Sequence, residues 1–75
     1  MFQLHLANAR RAKAMGDDYT ALDHFRQALL AARQEGRYQG IRTVLADLQH
    51  FMQFLGLADD EARQLQLPTL AEIQA

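Results

Sequence analysis

Histidines are the side chains of this sequence best suited to bind a metal ion or transfer a proton, and there are three, at His5, His24 and His50. No two of them are four residues apart, and no set of further ligands stands beside any of them. The spacing of a zinc site is therefore missing. The chain has no cysteine, which removes thiolate ligands and disulfides. We expect no metal and no cofactor, and interpret His5 as a half-buried packing residue.

Carboxylates and hydroxyls offer little for catalysis. Five of the nine acids form two runs, 17–18 and 59–61, and both runs stand where helices are expected to begin. A carboxylate there accepts backbone N–H bonds and complements the helix dipole, so capping explains both runs. We interpret the other four as isolated, solvated helix charges: Asp23, Glu35, Asp47 and Glu72. The chain has no serine and no Gly-rich phosphate loop. So short a chain also offers little burial for a general acid–base pair. The sequence predicts a protein that is not an enzyme.

The elements that would position these side chains are separated by glycines at nearly regular intervals, at Gly16, Gly36 and Gly56. Between them, apolar residues recur with helical spacing. Because Gly40 follows closely, we expect the second connection to extend from Gly36 to about Gly40. No alternating run indicates a strand. The pattern predicts an all-α fold with three main helices, the third strongly amphipathic, over about 2–15, 19–34 and 39–55.

The C-terminal part is expected to hold a short fourth helix or a tail. Asp59 or Asp60 begins that helix, and Pro68 ends it. The segment 69–72 then matches a capping box, with few residues after it. We expect a single helical domain over 1–67 and a tail over 68–75 that is either frayed or used in a contact.

Composition limits the partners and the location. Eight basic residues against nine acidic ones give a net charge of −1, so nothing draws the whole chain to nucleic acid or to an anionic membrane. No apolar stretch approaches the roughly 18 residues of a membrane span. The first residues lack the basic and apolar regions of a signal peptide. We expect a cytoplasmic protein without membrane contact.

The stretch 9–31 resembles one tetratricopeptide (TPR) repeat, in which two antiparallel helices cross at small residues. The matching positions are a small residue of the first helix, the turn glycine and the signature of the second helix: Ala9, Gly16, Ala21, Phe25 and Ala28. The resemblance implies that helices one and two form an antiparallel hairpin, and that the protein binds other proteins.

This chain departs from the repeat at several positions. His5, Asn8 and Ala12 replace three large apolar residues of the first helix, and the proline after the second helix is absent. No full second repeat follows. Because solenoids usually need about three repeats to bury a continuous core, we expect this chain to form a homodimer or to pair with another protein.

The resemblance also assigns a binding face, because the first helix of a TPR repeat lines its concave surface. The resemblance implies that four residues face that groove: Gln3, Leu6, Arg10 and Lys13. Arg10 and Lys13 would hold a carboxylate there. The residues alone allow another interpretation. Leu6 shares the apolar face of its helix, and Arg10 and Lys13 are then solvated charges near a helix end.

Apolar residues away from the main stripes are the other candidate contacts. Leu30 and Phe54 lie off these stripes, and Leu57 is expected to fold back toward Met52 after Gly56. Exposed apolar patches usually mark association. The sequence predicts a small protein-interaction module, acting as an adaptor, a chaperone-like subunit or a regulator. Its candidate contact residues are Leu6, Arg10, Lys13, Leu30, Phe54 and Leu57.

Two other functions remain open. Arg10, Arg11 and Lys13 form the only dense basic cluster, and a nucleic-acid-associated regulator would use them for phosphate contacts. No recognition helix with a basic face supports that alternative, so nucleic acid is the less favoured partner. The third hypothesis is a structural piece of a larger assembly that folds only with its partner.

Overall fold

The structure, a computed structural model, describes residues 1–74. Within that range the chain forms helices and no strand. The helices are α1 (Phe2–Ala14), α2 (Asp18–Glu35), α3 (Tyr38–Leu55), α4 (Asp59–Gln64) and α5 (Leu70–Gln74). The predicted all-α fold with three main helices and a short fourth helix is confirmed.

Each long helix stops at a glycine in the left-handed conformation. Gly16, Gly36 and Gly56 have φ angles of 79°, 68° and 65°, which cost glycine nothing because it has no Cβ. After each glycine, the next backbone N–H donates to a carbonyl of the last helical turn, as in a Schellman motif. These bonds, of 2.9, 3.4 and 3.0 Å, join Asp17 to Ala12, Arg37 to Ala32 and Leu57 to Met52. The helix end predicted at Gly56 is confirmed.

The connection before α3 is shorter than predicted, because Gly40 belongs to the first turn of the helix. A Cβ atom on Gly40 would lie 2.8 Å from both Cε1 and Cζ of the Phe2 ring. This glycine therefore serves a close contact between α1 and α3 rather than a loop. The sequence pattern alone cannot separate these two uses of glycine.

α1 and α3 run in the same direction, and α2 runs back between them. Phe25 of α2 packs against Phe51 of α3, with ring centroids 5.8 Å apart. The direct contacts between α1 and α3 follow the same order along both helices, which shows that the two are parallel. These contacts pair Phe2 with Gly40, Arg10 with Asp47, and Lys13 with Phe51.

Small residues let the first two helices approach closely. Ala9 of α1 and Ala21, Ala28 and Ala32 of α2 are completely buried. The larger core side chains come mostly from α2 and α3, and burying each one contributes about 1.5–3 kcal/mol to folding. Those with the least exposure are Phe25, Val44, Leu48, Phe51 and Met52.

The predicted tail packs against the helices as far as it is described. Thr69 is buried, and its Oγ1 accepts a hydrogen bond of 3.2 Å from the Glu72 backbone N–H. This bond caps the start of α5. Leu70 and Ile73 then pack against the core. The described part of the tail therefore contacts the helices of its own chain through residues 69–73, and residue 75 lies outside the described range.

Candidate functional site

Two of the predicted contact residues, Arg10 and Lys13, lie together between α1 and α3. They line a pocket of about 230 Å³ with Asp47 and His50 of α3, and Phe25 forms its floor. Arg10 Nε donates to Asp47 Oδ2 at 2.8 Å, so this guanidinium already has a carboxylate partner. Lys13 Nζ has no carboxylate partner among the described residues and lies 5.4 Å from the centroid of the Phe51 ring. Lys13 is therefore the cation available to a ligand here.

Phe54 extends this surface toward the end of α3. It follows Asp47 by seven residues and His50 by four, a spacing that places all three on one helical face. The Phe54 ring is 78% exposed and stacks on Phe51, with 6.5 Å between centroids and 12° between planes. Phe51 itself is completely buried, so Phe54 is supported by a fixed core residue. We call Arg10, Lys13, Asp47, His50 and Phe54 the α1/α3 surface.

Leu6 does not belong to this surface. Its side chain is 5% exposed and packs in the core. The helical periodicity placed Leu6 on the apolar face of α1, whereas the family resemblance placed it in a groove. The structure follows the periodicity, and this corrects the prediction that Leu6 contacts a partner.

Leu57 lines a second cavity, of about 370 Å³, where the first turn of α2 meets the end of α3 and α4. Its polar lining residues are Gln64 and two acids, Asp18 and Glu61. Glu61 Oε1 accepts a 3.3 Å hydrogen bond from the Ala58 backbone N–H, so this acid also caps α4. The walls are apolar and consist of Tyr19, Leu22, Leu55, Leu57 and Leu65. We call this cavity the acidic groove.

Leu30 lies at a third site, beside the connection between α4 and α5. It is 52% exposed and lines a cavity of about 420 Å³ together with Arg26, Arg33 and Glu72. Arg26 donates to Asp23 at 2.8 Å, and this hydrogen bond lowers the pKa of the Asp23 carboxyl. Three charged side chains line this cavity, which makes it the weaker candidate for an apolar partner.

Two histidines meet where α1 packs on α2. The rings of His5 and His24 stack with centroids 5.9 Å apart, and both Nδ1 atoms are buried without a hydrogen-bond partner. Both residues are half-buried, which agrees with the packing role expected for His5. Among residues 1–74, no three potential ligands gather as a metal site, and no helix is long and apolar enough to cross a membrane.

Some residues of these surfaces contact side chains of other helices and could not be found from the sequence. Asp47 bonds to Arg10, 37 positions earlier, and its neighbours in the sequence do not indicate this contact. Its spacing from Phe54 was a usable signal for a shared face. Nothing in the sequence shows that Asp18 and Glu61, from the two acidic runs, border one groove. That arrangement depends on how α4 packs beside α2.

Comparison of the chain with protein-family models, with curated proteins and with solved structures finds no match. The resemblance to a TPR repeat therefore stays a prediction from the residues quoted above.

Proposed function

We propose that this protein is a non-enzymatic interaction module that binds a segment of another protein on its α1/α3 surface. The observation that carries the proposal is Phe54, an exposed aromatic ring held against the buried Phe51 ring. A large apolar side chain with a fixed position loses little freedom on binding, and such residues often dominate the energy of an interface.

The charges of the surface indicate the chemistry of the partner. Asp47 neutralises Arg10, which leaves Lys13 as the cation without an acidic partner beside Phe54. An apolar side chain of the partner would pack on Phe54, and a neighbouring carboxylate would pair with Lys13. The ion pair would orient the partner more than strengthen binding, because Lys13 is exposed to solvent.

The same proposal covers the biological setting. As an adaptor, chaperone-like subunit or regulator, the module acts in the cytoplasm and forms a homodimer. These roles rest on the small size, the balanced charge and the exposed apolar side chains of the chain.

A peptide-display selection tests the proposal without knowledge of the natural partner. Random peptides are selected on the wild-type protein, and each enriched peptide is measured again on Phe54→Ala, Lys13→Ala and the control Tyr38→Ala. Tyr38 is a similarly exposed aromatic residue at the opposite end of α3. We expect the enriched peptides to be apolar and to contain an acidic residue. Phe54→Ala should bind them at least about tenfold more weakly than the wild type does. Lys13→Ala should weaken peptide binding less than Phe54→Ala does. Its effect should become smaller as the salt concentration rises.

Two results would contradict the proposal. One is a set of enriched peptides that bind Phe54→Ala as well as wild type. The other is tight binding of duplex DNA that falls steeply with salt and depends on Arg10, Arg11 and Lys13. The second result would establish the nucleic-acid alternative.

A further inference from the structure

The acidic groove has a chemical counterpart on the same chain. Arg11 and Met15 lie one helical turn apart at the end of α1, and this spacing places their side chains next to each other. Met15 is 77% exposed, and Arg11 is exposed with no ion-pair partner among the described residues. We call these two residues the α1 knob, an apolar side chain beside a cation.

The groove matches the knob in both respects. Its apolar walls accept a hydrocarbon side chain, and methionine adapts its shape to such cavities because it is unbranched and flexible. The charged residues that line it, Asp18 and Glu61, are both acidic. A methionine inserted between the leucines would therefore bring its neighbouring arginine close to a carboxylate of the rim.

We propose that the acidic groove binds the α1 knob of a second copy of this chain. Met15 and Asp18 are three positions apart, so the knob and the groove lie at the same end of the α1–α2 hairpin. A two-fold axis at that end allows each copy to insert its knob into the other's groove, which gives a closed dimer rather than a filament. The inference rests on the proposed interaction function, but it uses a different surface from Phe54.

Solution mass across a dilution series tests the contact. Met15→Ala removes the apolar part of the knob at an exposed position, so the fold is expected to persist. We expect the dimer dissociation constant to rise at least about tenfold. Leu4→Ala is the matched control, because Leu4 is an exposed apolar residue at the other end of α1. The dimer dissociation constant of Leu4→Ala should equal that of the wild type.

A charge exchange tests the pairing itself. Arg11→Glu gives a chain with an acidic knob and an acidic groove, and the double variant Asp18→Lys, Glu61→Lys gives a basic knob with a basic groove. Each chain alone should lose dimerisation through repulsion. An equimolar mixture should form the heterodimer, because both of its contacts then join opposite charges. Recovery in the mixture also shows that both chains are folded.

A wild-type chain that stays monomeric at the highest concentration would overturn the proposal. So would a dimer that all of these variants leave intact, since another surface would then hold it. If the chain is monomeric and a basic, apolar segment of another protein binds the groove, the occupant is a foreign partner and the self-pairing is wrong. Phe54→Ala should leave the mass unchanged and Met15→Ala should leave peptide binding unchanged, so peptide binding at Phe54 and self-pairing at the groove can fail separately.

Discussion

At the scale of the residue, Gln66 has a conformation that its side chain disfavours. Its φ of 61° is the only positive value among the non-glycine residues of the described chain. The left-handed region costs an ordinary residue roughly 1–2 kcal/mol. The Leu67 N–H then donates to the Ala62 carbonyl at 2.8 Å, so Gln66 occupies the place that glycine takes after the three long helices.

Gln66→Gly should therefore stabilise the protein, by about 0.5–1 kcal/mol, because glycine adopts this conformation without a clash. Gln64→Gly is the control, since Gln64 lies within α4 and glycine there should cost about 0.5–1 kcal/mol. Urea denaturation measures both changes. If Gln66→Gly and Gln64→Gly both lowered the free energy of unfolding by similar amounts, the left-handed conformation of Gln66 would carry no strain.

At the scale of the element, Gly40 determines how closely α1 approaches α3. Two opposing effects act at this position. Alanine favours a helix over glycine by up to about 1 kcal/mol, but its Cβ would lie 2.8 Å from the Phe2 ring. Forcing a ring out of a packed position typically costs about 1–3 kcal/mol.

A double-mutant cycle separates these effects. We expect Gly40→Ala to destabilise the wild type, and to be neutral or stabilising in a Phe2→Ala chain, where the ring is absent. The coupling free energy should be about 1 kcal/mol or more. Chemical denaturation of the four chains gives its value, and a coupling near zero would mean that the Phe2 ring moves aside without cost.

At the scale of the whole molecule, self-association and stability are linked. If two chains pair through the acidic groove, unfolding also separates them, and the Tm must rise with protein concentration. For a chain of this size we expect roughly 3–5 °C per tenfold increase in concentration. Thermal scans over a hundredfold range measure the slope. At equal concentration Met15→Ala should melt at a lower temperature than the wild type, because its dimer is weaker. A flat wild-type slope would argue against a dimer.

The helices could be predicted from the sequence because their ends depend on local chemistry. The glycines and Asp17 act within a few residues, and the predicted bounds of α1, α2 and α3 agree with the structure to within one residue. The angular position of Phe54, away from the apolar stripe, also identified a side chain that is exposed.

The contacts between helices could not be predicted in the same way. Gly40 fits a loop or a close approach equally well until Phe2 is placed beside it. The two acidic runs each look like helix caps, and only the packing of α4 brings Asp18 and Glu61 to one groove. These features depend on side chains that are far apart along the chain, where spacing carries no information.

The three glycines that end the long helices allow the chirality of the chain to be inverted at those positions. A D-amino acid prefers positive φ as strongly as an L-amino acid avoids it. At Gly16, Gly36 and Gly56 the backbone already has the φ of a D-residue. A chemically synthesised chain with D-alanine at these positions would keep every right-handed helix. In the turns between the helices, the chirality of one residue can therefore be inverted without changing the fold.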